Sequence, residues 1–344
     1  MNLCYFIKKI LLFLSVLVLP APILWSQEFY WPTPDLSFSK GDLYPNFIMP
    51  TIIEKPYSGL FGLVRSNGRQ FHEGIDIRAT QFDSKGEALD PIFATMEGRV
   101  VYSSKIAGNS SYGRYLVLEH ERTNPKVYSL YAHLKTIDPN IKVGQWIEGG
   151  TVLGRMGRSA GGYKIPKSRA HLHFEIGVRL TDSFHLFYNR MRYKTKNQHG
   201  VWNGMNLVGI NALEYFMMRR KKWIGDLNDY FSTLPTAAVV RLKTGKVPDF
   251  VKRYPSFLKL PLKEDSVVGW EIEFTWFGLP KSWKSLTGKG TSSNRVSYVE
   301  LIDFEKKQLA KALGRKVLHK NGNKIELGKQ IKRSLEILFE VPIK

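Results

Sequence analysis

The stretch Ala170-His171-Leu172-His173-Phe174-Glu175-Ile176 constrains this chain most, because apolar and polar residues alternate through it as in a strand with one buried face. On such a strand side chains two apart share a face, so His171 and His173 stand side by side. Two imidazoles on a rigid strand can offer neutral nitrogens to one small centre, either a metal ion or a reacting group.

Upstream, short apolar-alternating runs are punctuated by glycine: Gly98-Arg99-Val100-Val101-Tyr102-Ser103, Tyr115-Leu116-Val117-Leu118-Glu119-His120 and Val127-Tyr128-Ser129-Leu130-Tyr131-Ala132. Two more, Val143 to Gly150 and Val152 to Gly157, follow. With no helical period between them, they predict a mainly β, antiparallel domain in which these runs and the His-x-His strand form one curved sheet system. Residues 179–204, rich in Arg, Lys, Asn and Tyr, read as a long surface loop, and Asn211 caps a short helix beyond it.

Residues 27–55, aromatic and proline-rich, suit an extended arm lying on the domain. The main domain is expected over 56–218, a linker or helix over 219–240, and a second, smaller β-rich module over 241–344. In that module Trp270, Ile272, Phe274 and Trp276 alternate with polar residues, and Asn321-Gly322 suits a hairpin turn. The run from Leu335 to Val341 reads as a last strand.

Lys8 and Lys9 precede an apolar run from Ile10 to Trp25, broken by Pro20 and Pro22 and followed by Ser26. Residues 1–26 therefore read as a secretory signal peptide, and the protein as exported to the periplasm, cell envelope or medium. The rival is an uncleaved anchor, but the run falls short of the roughly 20 residues that span a bilayer. No stable membrane insertion is expected after cleavage. Cys4, the one cysteine, would leave with the signal, removing disulfides and thiolate chemistry.

Formal charge is +21, and residues 219–344 carry 26 Lys plus Arg against 13 Asp plus Glu. Such an excess favours an anionic partner, an acidic wall polymer among them, although a solvated surface explains it equally. Export disfavours nucleic acid.

His72 and Asp76, four apart around Gly74, can turn an imidazole and a carboxylate to one side. Joined to His173 they make two nitrogens and one oxygen, the three-ligand set that leaves zinc an open position for water. Zinc bound so lowers the pKa of its water to about 7 and polarises a carbonyl. Proton transfer and oxyanion stabilisation need further donors, which His171 and His133 can supply.

The succession His-x-Gly-x-Asp, Tyr-x-His-Leu and His-Leu-His-Phe-Glu resembles the lysostaphin/LytM-type zinc metallopeptidases, which cut peptide bonds in bacterial peptidoglycan. The resemblance covers roughly residues 57–177. It implies a LytM-type, duplicated-hybrid-motif-like peptidase domain, a Zn2+ cofactor held by His72, Asp76 and His173, and His133 and His171 as catalytic histidines. All five positions hold the expected residue, which argues against the family's degenerate, non-catalytic members. The chain departs from the common pattern in a longer loop over 158–169, an extended tract after Ile176 and its basic C-terminal part.

The implied activity is a secreted zinc endopeptidase of peptidoglycan; the alternative is a non-catalytic envelope regulator that binds wall or activates another hydrolase. Elsewhere blander readings prevail. His120, His185, His199 and His319 are expected to be structural, Glu175 to face away from the histidines, and Trp270, Phe274 and Trp276 to be core. Arg219-Arg220-Lys221-Lys222 reads as a helix end whose charge suits the helix dipole.

Overall fold

The computed structural model describes residues 29–52, 55–288 and 293–343; the expected signal peptide and Cys4 lie outside the described residues. In the N-terminal part twelve strands follow one another: β1 (Gly62–Arg65), β2 (Gln70–His72), β3 (Ile75–Arg78), β4 (Pro91–Phe93), β5 (Gly98–Ser104) and β6 (Tyr115–His120). Then come β7 (Val127–Ala132), β8 (Thr136–Ile137), β9 (Trp146–Ile147), β10 (Val152–Arg155), β11 (His171–Arg179) and β12 (Leu207–Gly209).

The main sheet is antiparallel, in the order β12-β11-β7-β6-β5-β9, and β3 pairs with β11 as well. One edge of β11 is therefore shared, its first half by β3 and its second half by β12. Four of the five punctuated runs enter this sheet. The run after Val152 becomes β10 and joins β4 and β8 in a separate three-stranded sheet.

Every residue of β11 is buried, so the strand is covered on both faces. Leu172, Phe174, Ile176 and Val178 point into the main core, whereas the other face joins a second cluster of Tyr115, Val117, Tyr128, Leu130 and Ala132. Trp202 and Leu207 lie over that second cluster. The tract over 179–204 is a surface loop only over residues 191–198, and its flanks are partly buried. Its helix Phe184–Arg190 buries Phe184, Phe187 and Tyr188, and its end supplies Trp202. Aromatic residues spaced three and four apart were the helical signal beneath the charges.

The arm packs through its aromatic side chains: Trp31 stacks on Phe38 with centroids 4.4 Å apart, and both meet Phe216 of the helix Ala212–Arg220. Its backbone also pairs with β3, through Met49 N–H to Asp76 O and Arg78 N–H to Phe47 O. Asn211 caps the helix through its side chain, which accepts from Glu214 N–H, and Arg219 and Arg220 occupy its last turn.

The C-terminal part contains β13 (Ala238–Lys243), β14 (Val267–Phe274), β15 (Pro280–Thr287) and β16 (Tyr298–Phe304), an antiparallel sheet in the order β15-β14-β13-β16. Trp270, Ile272 and Phe274 alternate inward along β14, while Trp276 lies past its end and is only partly buried. A hairpin of β17 (Leu318–Asn321) and β18 (Lys324–Leu327) turns through Gly322 and Asn323. The expected last strand is instead the end of a helix, Lys329–Phe339. Ile331, Leu335 and Leu338 recur four and three apart, a helical period that a window opening at Leu335 cuts off.

This part packs against the hairpin β1–β2. Phe61 and Phe71 meet Trp276 at 6.3 and 5.8 Å, and the Arg315 guanidinium lies 3.8 Å from the centre of the Phe71 ring and 3.6 Å from Glu73. Among the described residues no helix is long and apolar enough to cross a membrane.

His120, at the end of β6, is one of the buried structural histidines. Its Nδ1 donates to Glu97 O at 2.7 Å and its Nε2 lies 2.8 Å from Ser129 Oγ. Burial lowers its pKa to about 4. Below pH 6.5 the unfolded chain takes up a proton that the folded chain refuses, so stability falls as pH falls from 6.5 toward 4, by roughly 3 kcal/mol for this group. Urea unfolding of His120→Gln should show a pH dependence shallower than wild type by about that amount. Parallel curves for the two proteins would refute it.

Candidate metal centre

Register builds the centre. Asp76 lies directly opposite His173 in the β3–β11 pair, and Ala132 lies opposite His173 on its other side. Opposed residues of neighbouring strands project from the same face, so the carboxylate and the imidazole meet. His72 ends β2, paired with Gly62 of β1, and Glu73 and Gly74 carry the chain from His72 into β3. The turn between two strands, rather than one continuous strand, brings His72 and Asp76 to one side.

Gly74 is required there for space. A Cβ at that position would lie 2.2 Å from Phe174 O and 2.8 Å from the Glu175 side chain. No side chain fits without moving β3 off β11.

His72 Nε2 lies 3.0 Å from His173 Nδ1, and Asp76 Oδ1 lies 3.1 Å from each of them. Each imidazole is oriented by its other nitrogen. His72 Nδ1 donates to Leu60 O at 2.8 Å, and His173 Nε2 donates to Glu175 Oε1 at 2.8 Å. The nitrogens facing the centre therefore carry lone pairs when both rings are neutral. Two lone pairs and a carboxylate oxygen this close repel unless a cation lies among them; here the Arg65 guanidinium approaches, bonded to Asp76 Oδ2 and 2.9 Å from His72 Nε2.

The donor set fits zinc. Ligands held tetrahedrally at 2.0–2.1 Å from zinc lie about 3.3 Å from one another, close to the separations above. An acceptor holding the far nitrogen of each imidazole is the arrangement that metal-binding histidines use.

The two remaining histidines border the same centre. His171, the first residue of β11, has Nδ1 bound to Arg169 O at 2.7 Å and Nε2 at 3.7 Å from Asp76 Oδ1. His133 follows β7 in a left-handed backbone conformation, φ 60°. Its N–H donates to Tyr112 O and its Nδ1 to Ser159 O, each at 2.9 Å. The rings of His133 and His171 meet edge to face, 4.8 Å between centroids.

Burial sets the electrostatics. It lowers His72 to about 4 and His171 below the usual imidazole range, and it holds His133 well below that range, with His171 beside it adding to the effect. Burial acts on His173 too, but its hydrogen bonds to Asp76 and Glu175 prevail and carry it up to about 9. Burial opposes charge on Asp76; His72 and Arg65 beside it nevertheless hold its carboxyl well below the ordinary value.

Residues 70–183 match Peptidase family M23. The likeness is confined to that segment. It contains His72, Asp76, His133, His171 and His173, whereas β1 and the C-terminal part lie outside it. No curated protein matches the chain significantly.

Among solved structures, the chain is similar to a zinc-containing peptidase from Vibrio cholerae, at 31% identity over 31% of this chain and 26% of that one, TM-score 0.23. It is also similar to the catalytic domain of the antimicrobial peptidase lysostaphin from Staphylococcus simulans, at 23% identity over 34% and 74% of the two chains, TM-score 0.24. A third is the catalytic domain of the prophage-encoded M23 protein EnpA from Enterococcus faecalis, at 22% identity over 31% and 68%, TM-score 0.24.

The surroundings of the centre hold contacts that the sequence reading missed. Glu175, expected to face away, is two residues from His173 and so shares its face; the period of two that paired His171 with His173 places it there. Arg65 binds Asp76 Oδ2 and lies 2.9 Å from His72 Nε2, and nothing in the spacing of β1 announces it. Tyr112 and Tyr128 both reach Glu175. His199 binds Tyr102 and Asn109 instead, away from the centre.

Gly74→Ala should separate Asp76 from His173. Competition with a chromophoric zinc chelator should register at least a tenfold loss of affinity, and the melting temperature should fall by several degrees. Wild-type values in both measurements would show that β3 can yield.

Proposed function

We propose that this protein is an exported zinc-dependent endopeptidase that hydrolyses peptide bonds of bacterial peptidoglycan. The observation that carries the reading is the convergence of His72 Nε2, Asp76 Oδ1 and His173 Nδ1, with His133 and His171 beside them. The M23 match supports the peptidase class, and the apolar run near the N-terminus supports export.

His72, Asp76 and His173 would hold the ion. Zinc so bound supplies a Lewis acid for a substrate carbonyl and for water. The histidines beside it do the proton work. With Nδ1 of each tied to a backbone carbonyl, the Nε2 atoms of His133 and His171 are the free bases, kept neutral near pH 7 by burial. One Nε2 takes the proton of the attacking water. As an imidazolium it then donates toward the oxygen gathering negative charge, and finally gives the proton to the leaving amine.

Purified protein should release peptides from isolated cell walls, lose that activity to a chelator and recover it with zinc. His171→Ala should cost at least 10²-fold in rate while still binding zinc, because a general acid–base group contributes about 10²–10⁴. A wild type that binds walls without cutting them would point to the regulator reading, and one that binds no zinc would end the metal reading.

A further inference from the structure

The second face of the main sheet carries one residue that packing does not call for. Glu175 lies on β11 opposite Leu130 and is fully buried, beside an apolar and aromatic cluster. A carboxylate enclosed this way costs several kcal/mol unless each oxygen is bonded. Both are. Oε1 accepts from His173 Nε2 at 2.8 Å and from Tyr112 Oη at 2.6 Å, and Oε2 accepts from Tyr128 Oη at 2.7 Å.

We propose that Glu175 is a positioning residue for the metal centre: it fixes His173 as the Nε2–H tautomer so that Nδ1 faces the ion, and Tyr112 and Tyr128 lock its carboxylate in place. The proposal rests on the zinc reading above.

Three features of the fold and one of imidazole chemistry agree with it. His173 must present Nδ1, because its Nε2 points along the strand toward Glu175. The carboxylate raises the basicity of the nitrogen that it does not touch, which strengthens a neutral imidazole as a ligand. Gly74 leaves the space that the Glu175 side chain fills. Tyr112 bonds Glu175 through its hydroxyl while its carbonyl accepts the His133 N–H, so one residue aligns a ligand and a neighbouring base together.

A purely structural Glu175 would leave zinc affinity alone. Glu175→Gln keeps the shape and can still accept from His173 Nε2–H, but it loses the charge and turns an amide donor toward a tyrosine hydroxyl. Competition with a chromophoric chelator on the full chain should give a zinc Kd about 10–100-fold weaker than wild type, while the melting temperature of the chelator-treated protein stays within a few degrees. Tyr112→Phe/Tyr128→Phe tests the same carboxylate from its other side with both rings kept, and should weaken zinc binding severalfold.

Wild-type Kd in Glu175→Gln, or in the tyrosine double variant, overturns the proposal while leaving the metal centre standing. Should Glu175→Gln fail to fold, the tyrosine variant decides. A wild-type chain that does not take up zinc overturns both readings together.

Discussion

The pairing of β3 with β11 is the interaction on which the rest depends. Because side chains alternate with a period of two, a slip of one residue in that register would turn Asp76 to the main core and leave His173 facing an isoleucine. The alternative register is closed from several sides. Ile75 and Ile77 are fully buried on the core face, Gly74 admits β11 only at its present height, and the N-terminal arm bonds the far edge of β3 through Met49 and Arg78. A site that needs three atoms about 3 Å apart is thus specified by hydrophobic burial of the residues on either side of Asp76.

Charge is balanced within the same few residues. Asp76 and Glu175 are both buried, and each has cationic or hydrogen-bonding partners enough to remain ionised: Arg65 and the imidazoles for Asp76, His173 and two tyrosines for Glu175. The positive φ of His133 belongs to this set. A left-handed non-glycine residue costs on the order of 1–2 kcal/mol, and here that conformation lets the N–H reach Tyr112 O and the ring reach Ser159 O. Strain of this kind persists where surrounding bonds over-determine the backbone.

Much of the N-terminal fold was legible because its strands are short, alternate cleanly and end at glycines; β5, β6, β7 and β11 lie where the period of two puts them. The five candidate residues stood out because histidine and aspartate carry their chemistry with them wherever the chain takes them, and the fold brings them together. What could not be read was made by tertiary contact. Trp202 covers a sheet face from within a charged tract, Tyr112 acts from a loop, and Arg65 reaches Asp76 across a hairpin whose close approach no local pattern encodes. Two features were legible in principle: Glu175 shares the parity of His173, and the terminal helix shows its period over residues 329–339.

The segment that matches the peptidase family does not stand by itself. Phe71 and Glu73 flank His72 on either side, and both are gripped by Arg315, while Trp276 wedges against Phe61 and Phe71 from the same direction. The basic C-terminal part is therefore fastened to the strand that bears His72, like a hand on a door handle. Whatever displaces Arg315 or Trp276 within those last hundred residues therefore acts on Phe71 and Glu73, the two neighbours of His72 in the chain.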